Sequence, residues 1–285
     1  MVISIASGKG GTGKTTVGVN LAVSLDKRVR FFDCDVEEPN AHLFLKPIIN
    51  ERTAVNTFVP EIDFTKCTYC GKCGEICQFN AIAVLKDYVL TFPELCHSCR
   101  GCLFVCPEKA VQESSRELGV IEQGRAGQVE FIHGRLRIGE AMSPPLIRAV
   151  KERIDKRQIN IIDAPPGTSC PVIAALKGAD FALLVTEPTP FGLNDLILAV
   201  EAVRALKIPL GVVLNRAGNG DVCVQSYLAR ENIPLLLEIP MDRKIAEAYS
   251  RGQMIVDVMP EWKEKFRGLY QKIEDILNGN RWGNA

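Results

Sequence analysis

Gly8-Lys9-Gly10-Gly11-Thr12-Gly13-Lys14-Thr15 constrains the fold more than any other stretch of the 285 residues. It fits the pattern GxxxxGK[ST], in which each residue type has a physical reason. Glycines let the backbone wrap until successive N–H groups face one centre, which suits a chain of phosphates. Lys14 adds a point charge for β- and γ-phosphates, and the Thr15 hydroxyl is a hard oxygen ligand for Mg²⁺. The helix that begins here adds its positive end. Such a loop works only between a strand and a helix. Val2 to Ala6 is an apolar strand, and Thr15 to Leu25 places Val17, Leu21 and Leu25 on one helical face. Chance produces this pattern in about one chain in a hundred of this length. Gly8, Lys9, Gly10, Gly11, Thr12, Gly13, Lys14, Thr15 and Thr16 are therefore expected to line a nucleotide.

The rest of the chain extends this start. Val29 to Phe32 predicts a second strand, ending at Asp33. Periodicity is lost from Ile48 to Val59. Weak alternation with Gly124, Gly127 and Gly134 predicts a hairpin between Val120 and Ile138. Pro144 to Ile154 reads as a helix. Three apolar strands follow, Ile159–Asp163, Phe181–Thr186 and Leu210–Asn215, separated by helices such as Leu193 to Leu206. Alternating strands and helices predict an α/β fold with a mostly parallel sheet covered on both faces. Trp262, Phe266, Leu269, Ile273, Ile276 and Leu277 form a helical stripe that should pack into the core.

Composition changes sharply from Pro60 to Gln112, which divides the chain into an inserted segment, 60–112, and a surrounding domain, 1–59 with 113–285. Eight of the 11 cysteines lie between Cys67 and Cys106. They form Cys67-x2-Cys70-x2-Cys73-x3-Cys77 and Cys96-x2-Cys99-x2-Cys102-x3-Cys106, the spacing of bacterial two-cluster ferredoxins written twice. Three closely spaced thiolates can cap one cubane, and the fourth reaches the other. One [4Fe–4S] cluster should take Cys67, Cys70, Cys73 and Cys106, and the second Cys77, Cys96, Cys99 and Cys102. Paired CxxC for zinc fits this spacing poorly. Gln78 stands where proline usually follows, so the first half is expected to have a looser turn than the second, where Pro107 is present. Cys34 and Cys170 are expected as small buried residues, and Cys223 carries no reading. His42, His97 and His133 are isolated in sequence, and His97, beside Cys96, is expected at the surface.

Hydrophobic residues make up 47% and charged residues 24%, with a formal net charge of +0. That is the profile of a soluble globular chain. It gives no electrostatic argument for nucleic acid or an anionic membrane. No apolar run is long enough to span a bilayer. With no export signal at the start, crowded cysteines point to metal in a cytoplasmic setting rather than to disulfides.

Lys9 is not required by the general phosphate-loop pattern. The run Lys9-Gly10-Gly11-Thr12-Gly13-Lys14-Thr15 resembles the deviant Walker A ATPases, which include MinD, ParA, Mrp and the nitrogenase iron protein. Asp33-Cys34-Asp35 resembles that family's switch I, and Asp163-Ala164-Pro165-Pro166-Gly167-Thr168 resembles the switch II of its Mrp branch. Asn215-Arg216 looks like the adenine-recognition position, and Ile239-Pro240-Met241-Asp242 like the loop flanking the base. The resemblance implies a role for each. Lys14 holds the bound ATP's phosphates, and Lys9 reaches across a homodimer to the other subunit's nucleotide. Asp35 orients the attacking water. Thr15, Asp33 and Asp163 serve Mg²⁺ and its water shell, and Gly167 senses the γ-phosphate. Asn215, Arg216, Pro240 and Met241 serve the base. Positioning and positive charge are what phosphoryl transfer needs.

The combination resembles MinD-superfamily ATPases that carry an inserted ferredoxin domain. It implies slow, partner-stimulated ATP hydrolysis coupled to electron transfer with a redox partner protein. Two alternatives stay open: an iron–sulfur carrier or assembly ATPase, and a MinD-like positioning ATPase that docks through its insert. The C-terminal CxxC that Mrp-type scaffolds use is absent here.

Overall fold

A computed structural model describes residues 1–218 and 222–282. The strands, in chain order, are β1 (Val2–Ala6), β2 (Val29–Asp33), β3 (Ile48–Ile62), β4 (Ile82–Val84), β5 (Val89–Thr91), β6 (Val111–Ala126), β7 (Val129–Leu136), β8 (Ile159–Asp163), β9 (Phe181–Thr186), β10 (Leu210–Ala217) and β11 (Leu235–Pro240). Nine of them form one sheet in the order β11-β10-β9-β1-β8-β2-β7-β6-β3. The pairings from β11 through to β7 are parallel. Strand β1 is central and buried throughout, as its unbroken apolar run requires. The mostly parallel α/β architecture is the one expected.

The chain divides into two contact-dense units. The first comprises 1–52, 121–135 and 147–285, and the second 53–120 and 136–146. The second is wider than the cysteine-rich stretch, because β3 and β6 are longer than the composition suggests. The segment from Ile48 to Val59 is a strand despite its lost periodicity. Most of its residues are exposed, so no alternation between a core face and a solvent face is imposed on it. The hairpin is present as β6 and β7, with Gly127 between them.

In the first unit Phe31, Phe131, Phe181, Trp262 and Phe266 are fully buried in one apolar cluster. The helix Trp262–Trp282 contributes the stripe read from sequence, with Ile276 and Leu277 at its margin. In the second unit the core is small: Phe58, Ile82, Val89, Cys102 and Val111, against which Cys67, Cys73, Cys96 and Cys106 pack. Short helices Lys72–Ile76 and Gly101–Val105 and the antiparallel pair β4–β5 complete that unit. Among the described residues no helix is long and apolar enough to cross a membrane.

Candidate nucleotide site and cysteine cavities

The phosphate loop links β1 to the helix Lys14–Ser24 at the carboxyl end of the parallel strands, where open α/β sheets bind ligands. Gly13 caps that helix at φ 94°, a conformation that glycine adopts without strain. Two neighbours pin the loop. The Asn215 amide donates to the Thr12 carbonyl at 2.8 Å, and the Gly167 N–H donates to the Ser7 carbonyl at 3.0 Å. Thus Asn215, at the end of β10, lies against the phosphate loop. Arg216 adopts φ 56° beside it, and Met241 is exposed beyond β11. Lys14 is buried.

Strands β2 and β8 pair with Asp33 opposite Asp163, which brings both switch aspartates to one strand end. The Thr15 hydroxyl donates to Asp163 Oδ2 at 2.5 Å, and Asp163 Oδ1 is buried without a partner. Asp33 accepts the N–H groups of Asp35, Asn40 and Ala41 at 3.0–3.1 Å. Burial raises the Asp33 pKa well above the carboxylate range, and repulsion from Asp163 adds to it. Burial lifts Asp163 to about 6 against the pull of Lys14. Burial, then Asp163, lifts Asp35 to about 7, with Lys14 opposing. Buried, mutually repelling carboxylates beside a threonine hydroxyl are the oxygen donors that a hard divalent cation takes, so these residues fit Mg²⁺.

Burial also raises the Cys34 thiol, which is fully enclosed as expected. Cys170 is not: it is exposed at the start of the helix Cys170–Leu176. A helix N-terminus directly after a loop leaves its first side chain facing outward.

The second unit gathers its cysteines into two cavities. Cys67, Cys70, Cys73 and Cys106 line one; Cys77, Cys96, Cys99 and Cys102 line the other. The grouping is crossed, with one cysteine of each run facing the three of the other. Burial raises the thiols of Cys73, Cys96 and Cys102. The neighbours that repel their charge are Cys67 and Cys106 for the first, Cys99 and Cys77 for the second, and Cys96 and Cys99 for the third.

The two halves repeat at a spacing of 29 residues, from Cys67 to Cys96. The left-handed residues repeat with it: Tyr69 with Ser98, Gly71 with Arg100, and Asn80 with Lys109. Ala81 N–H points to Cys77 Sγ at 3.3 Å, and Ala110 N–H to Cys106 Sγ at 3.2 Å. The turn after Cys77 therefore matches the one after Cys106, and the looser turn expected from Gln78 is absent. The left-handed residue three positions after each cysteine shapes the turn in both halves. Cys70 and Cys99 are the exposed members of their groups. His97 is exposed as expected and stacks on Phe79 at 3.6 Å. Among the described residues, no three His, Cys, Asp or Glu side chains converge on a single-ion site.

The family model for the CobQ/CobB/MinD/ParA nucleotide-binding domain matches residues 3–256. The chain belongs to that family. An uncharacterized protein of Methanocaldococcus jannaschii, MJ0579, is 31% identical over 289 residues, covering 99% of this chain and 98% of the relative. An iron–sulfur cluster carrier protein of Aquifex aeolicus is 26% identical over 285 residues, covering 91% of this chain and 63% of the relative. Among solved structures, the septum site-determining protein MinD of Pyrococcus horikoshii, complexed with Mg-ADP, superposes with a TM-score of 0.61 at 22% identity, covering 96% of each chain.

Two features of this MinD/ParA-family chain escape the sequence reading. Glu187, directly after β9, ion-pairs with Lys9 and Arg216; its only signal is an acidic residue at a strand's carboxyl end. His42 and His133, far apart in sequence, have ring centroids 5.6 Å apart. His133 is buried and bonded through Nε2 to Glu122 at 2.8 Å. Only the β2–β7 pairing, with Asp33 opposite His133, reveals that these histidines are not isolated.

Proposed function

We propose that this MinD/ParA-family ATPase is an iron–sulfur protein that couples ATP-dependent homodimerisation to electron transfer through two [4Fe–4S] clusters. The observation that carries the reading is the crossed grouping: each cavity takes three cysteines from one run and the fourth from the other. Two cubanes need that arrangement, and it ties both halves of a segment with only a small core together. Bound clusters would supply one-electron chemistry. The chain's own part is to bury them, to aim N–H groups at Cys77, Cys96 and Cys106, and to leave Cys70 and Cys99 at the surface, where a redox partner protein can approach.

At the nucleotide, Lys14 and the loop N–H groups hold the phosphates in the ground state. Thr15, Asp33 and Asp163 would hold Mg²⁺ and its waters, which supplies positive charge to the transferring phosphoryl group. Asp35 orients the attacking water. Lys9 reaches the partner's nucleotide, and the reducing cytoplasm keeps the cysteines out of disulfides, which leaves eight of the 11 as thiolates for the clusters.

The test is anaerobic purification with iron, sulfide and zinc analysis. It is followed by potentiometric titration without nucleotide, with ADP, and with ATP on the Asp35→Ala background. About eight iron and eight sulfide per chain are expected. Linkage requires ATP to shift the midpoint by as much as the cluster's redox state shifts ATP affinity. Coupling of about 1–3 kcal/mol corresponds to roughly 45–130 mV for a one-electron couple. Stoichiometric zinc defeats the cluster assignment. Identical potentials, together with electron transfer indifferent to nucleotide, defeat the coupling.

A second reading, an iron–sulfur carrier, is favoured by the names of several relatives. It requires the clusters to move to an apo-ferredoxin, whereas the first reading requires them to stay.

A further inference from the structure

The general phosphate-loop pattern does not require Lys9, whose ammonium lies 3.6 Å from Glu187 Oε2. The backbone that carries this carboxylate is pinned. The Thr189 N–H donates to the Glu187 carbonyl at 2.8 Å, and the Thr189 hydroxyl caps the helix Pro190–Ala205 through Gly192 N–H at 2.9 Å. The Glu187 side chain is 11% exposed, whereas Lys9, on a four-carbon stem, is 34% exposed. The other oxygen of Glu187 accepts Arg216 Nη1 at 2.6 Å. One fixed carboxylate therefore holds two cations, tightly on the arginine side and loosely on the lysine side.

We propose that Glu187 is a positioning residue that holds Lys9 on its own chain until ATP-driven pairing of two copies withdraws it. The inference rests on the reading of Lys9 as the residue that reaches the partner's nucleotide. The geometry explains why release is cheap. When Lys9 leaves, Glu187 keeps Arg216, so no buried charge is orphaned. The destination is stronger than the origin: a polyphosphate carries several charges, whereas Glu187 is already half neutralised. The clamp thus opposes pairing in the absence of ATP and yields in its presence.

The experiment is sedimentation of the full chain on the Asp35→Ala background, across protein concentration at saturating ATP. Glu187→Gln keeps the size of the side chain and its oxygen for Arg216 but removes the charge that holds Lys9. Dimerisation should then reach its midpoint at about a fivefold lower concentration, the scale of two weak, partly exposed ion pairs, one released on each copy. Glu187→Asp, which draws the carboxylate back by one methylene, should fall between the two. Arg216→Gln should shift the midpoint the other way, because all of Glu187's charge then faces Lys9. In a Lys9→Ala background, Glu187→Gln should add nothing.

If Lys9→Ala alone dimerises like its parent, the reading of Lys9 fails and this inference fails with it. If Lys9→Ala abolishes the dimer while Glu187→Gln leaves the midpoint unchanged or raises it, the clamp alone is overturned. A Glu187→Gln effect that persists without Lys9 also overturns it, since the carboxylate would then act through the fold.

Discussion

The two units hold themselves together by different means. The first buries whole aromatic side chains, Phe31, Phe131, Phe181, Trp262 and Phe266, in one continuous apolar cluster. The second has an apolar cluster of five buried residues, one of them Cys102, with four more cysteines packed around it. Its exposed surface retains Phe64, Phe79, Tyr88, Phe92 and Phe104, which a self-sufficient core would have enclosed. Hydrophobic burial is enough for the first unit, whereas the second, on the proposed reading, also relies on clusters held by its thiols.

The strongest way to break this contrast is to remove the iron that the proposed function assigns to the second unit. Chelation, or Cys102→Ser, should cost it on the order of 10 kcal/mol, the scale at which small metal-nucleated segments lose their fold. Amide exchange should show residues 53–120 losing protection while β1, β8 and β9 keep theirs. Retained protection across 53–120 would show that the small core suffices.

Next in size, Phe266→Ala should cost the first unit about 3–5 kcal/mol, because a fully buried ring leaves a cavity. The iron content and cluster spectrum of the second unit should be unchanged, and denaturant melts followed by both signals check this. Asp35→Ala should lower ATP turnover about a hundredfold, roughly 2.7 kcal/mol in the barrier, while ATP binding and iron content persist. Lys14→Ala should lose ATP binding itself. Equal loss of binding in both variants would show that Asp35 belongs to the ground-state site.

The smallest effect is a pH dependence confined to the first unit. Burial lowers the His133 pKa from its ordinary 6.5, and His42 moves the same way. At these two histidines the unfolded chain therefore binds more protons than the folded one between the lowered values and 6.5, so their contribution to stability is complete above about 6.5 and falls as pH drops through that window. The raised carboxylates Asp33, Asp35 and Asp163 act in the opposite sense, stabilising the fold as they protonate. His133→Asn should therefore raise the urea midpoint at pH 5 relative to that at pH 7, compared with its parent.

The first unit was legible because its signals are local or periodic. A glycine-rich loop after β1, strand ends at Asp33 and Asp163, and the stripe from Trp262 to Leu277 each declare themselves within a few residues. The spacing of the cysteines also carried their crossed grouping, since three thiolates at two-residue gaps cannot admit the fourth. What escaped depends on pairing between distant strands. Glu187 meets Lys9 only because β9 lies beside β1, and His133 meets His42 only through β7. Strand β3 escaped for the opposite reason: an exposed edge strand has no buried face to impose alternation. Cys170 misled because residue type alone does not record that it opens a helix.

Strands β3 and β6 run antiparallel side by side. Gly124 packs so closely on the Ile48 carbonyl that a side chain there would collide, and the Asp63 N–H meets the Ala110 carbonyl at 2.7 Å near the other end. The chain thus leaves along one strand and returns along the strand beside it, so Ile48 and Gly124, 76 residues apart in sequence, end about one strand spacing apart, roughly 5 Å. Every residue that lines the two cysteine cavities lies on the excursion between those two points.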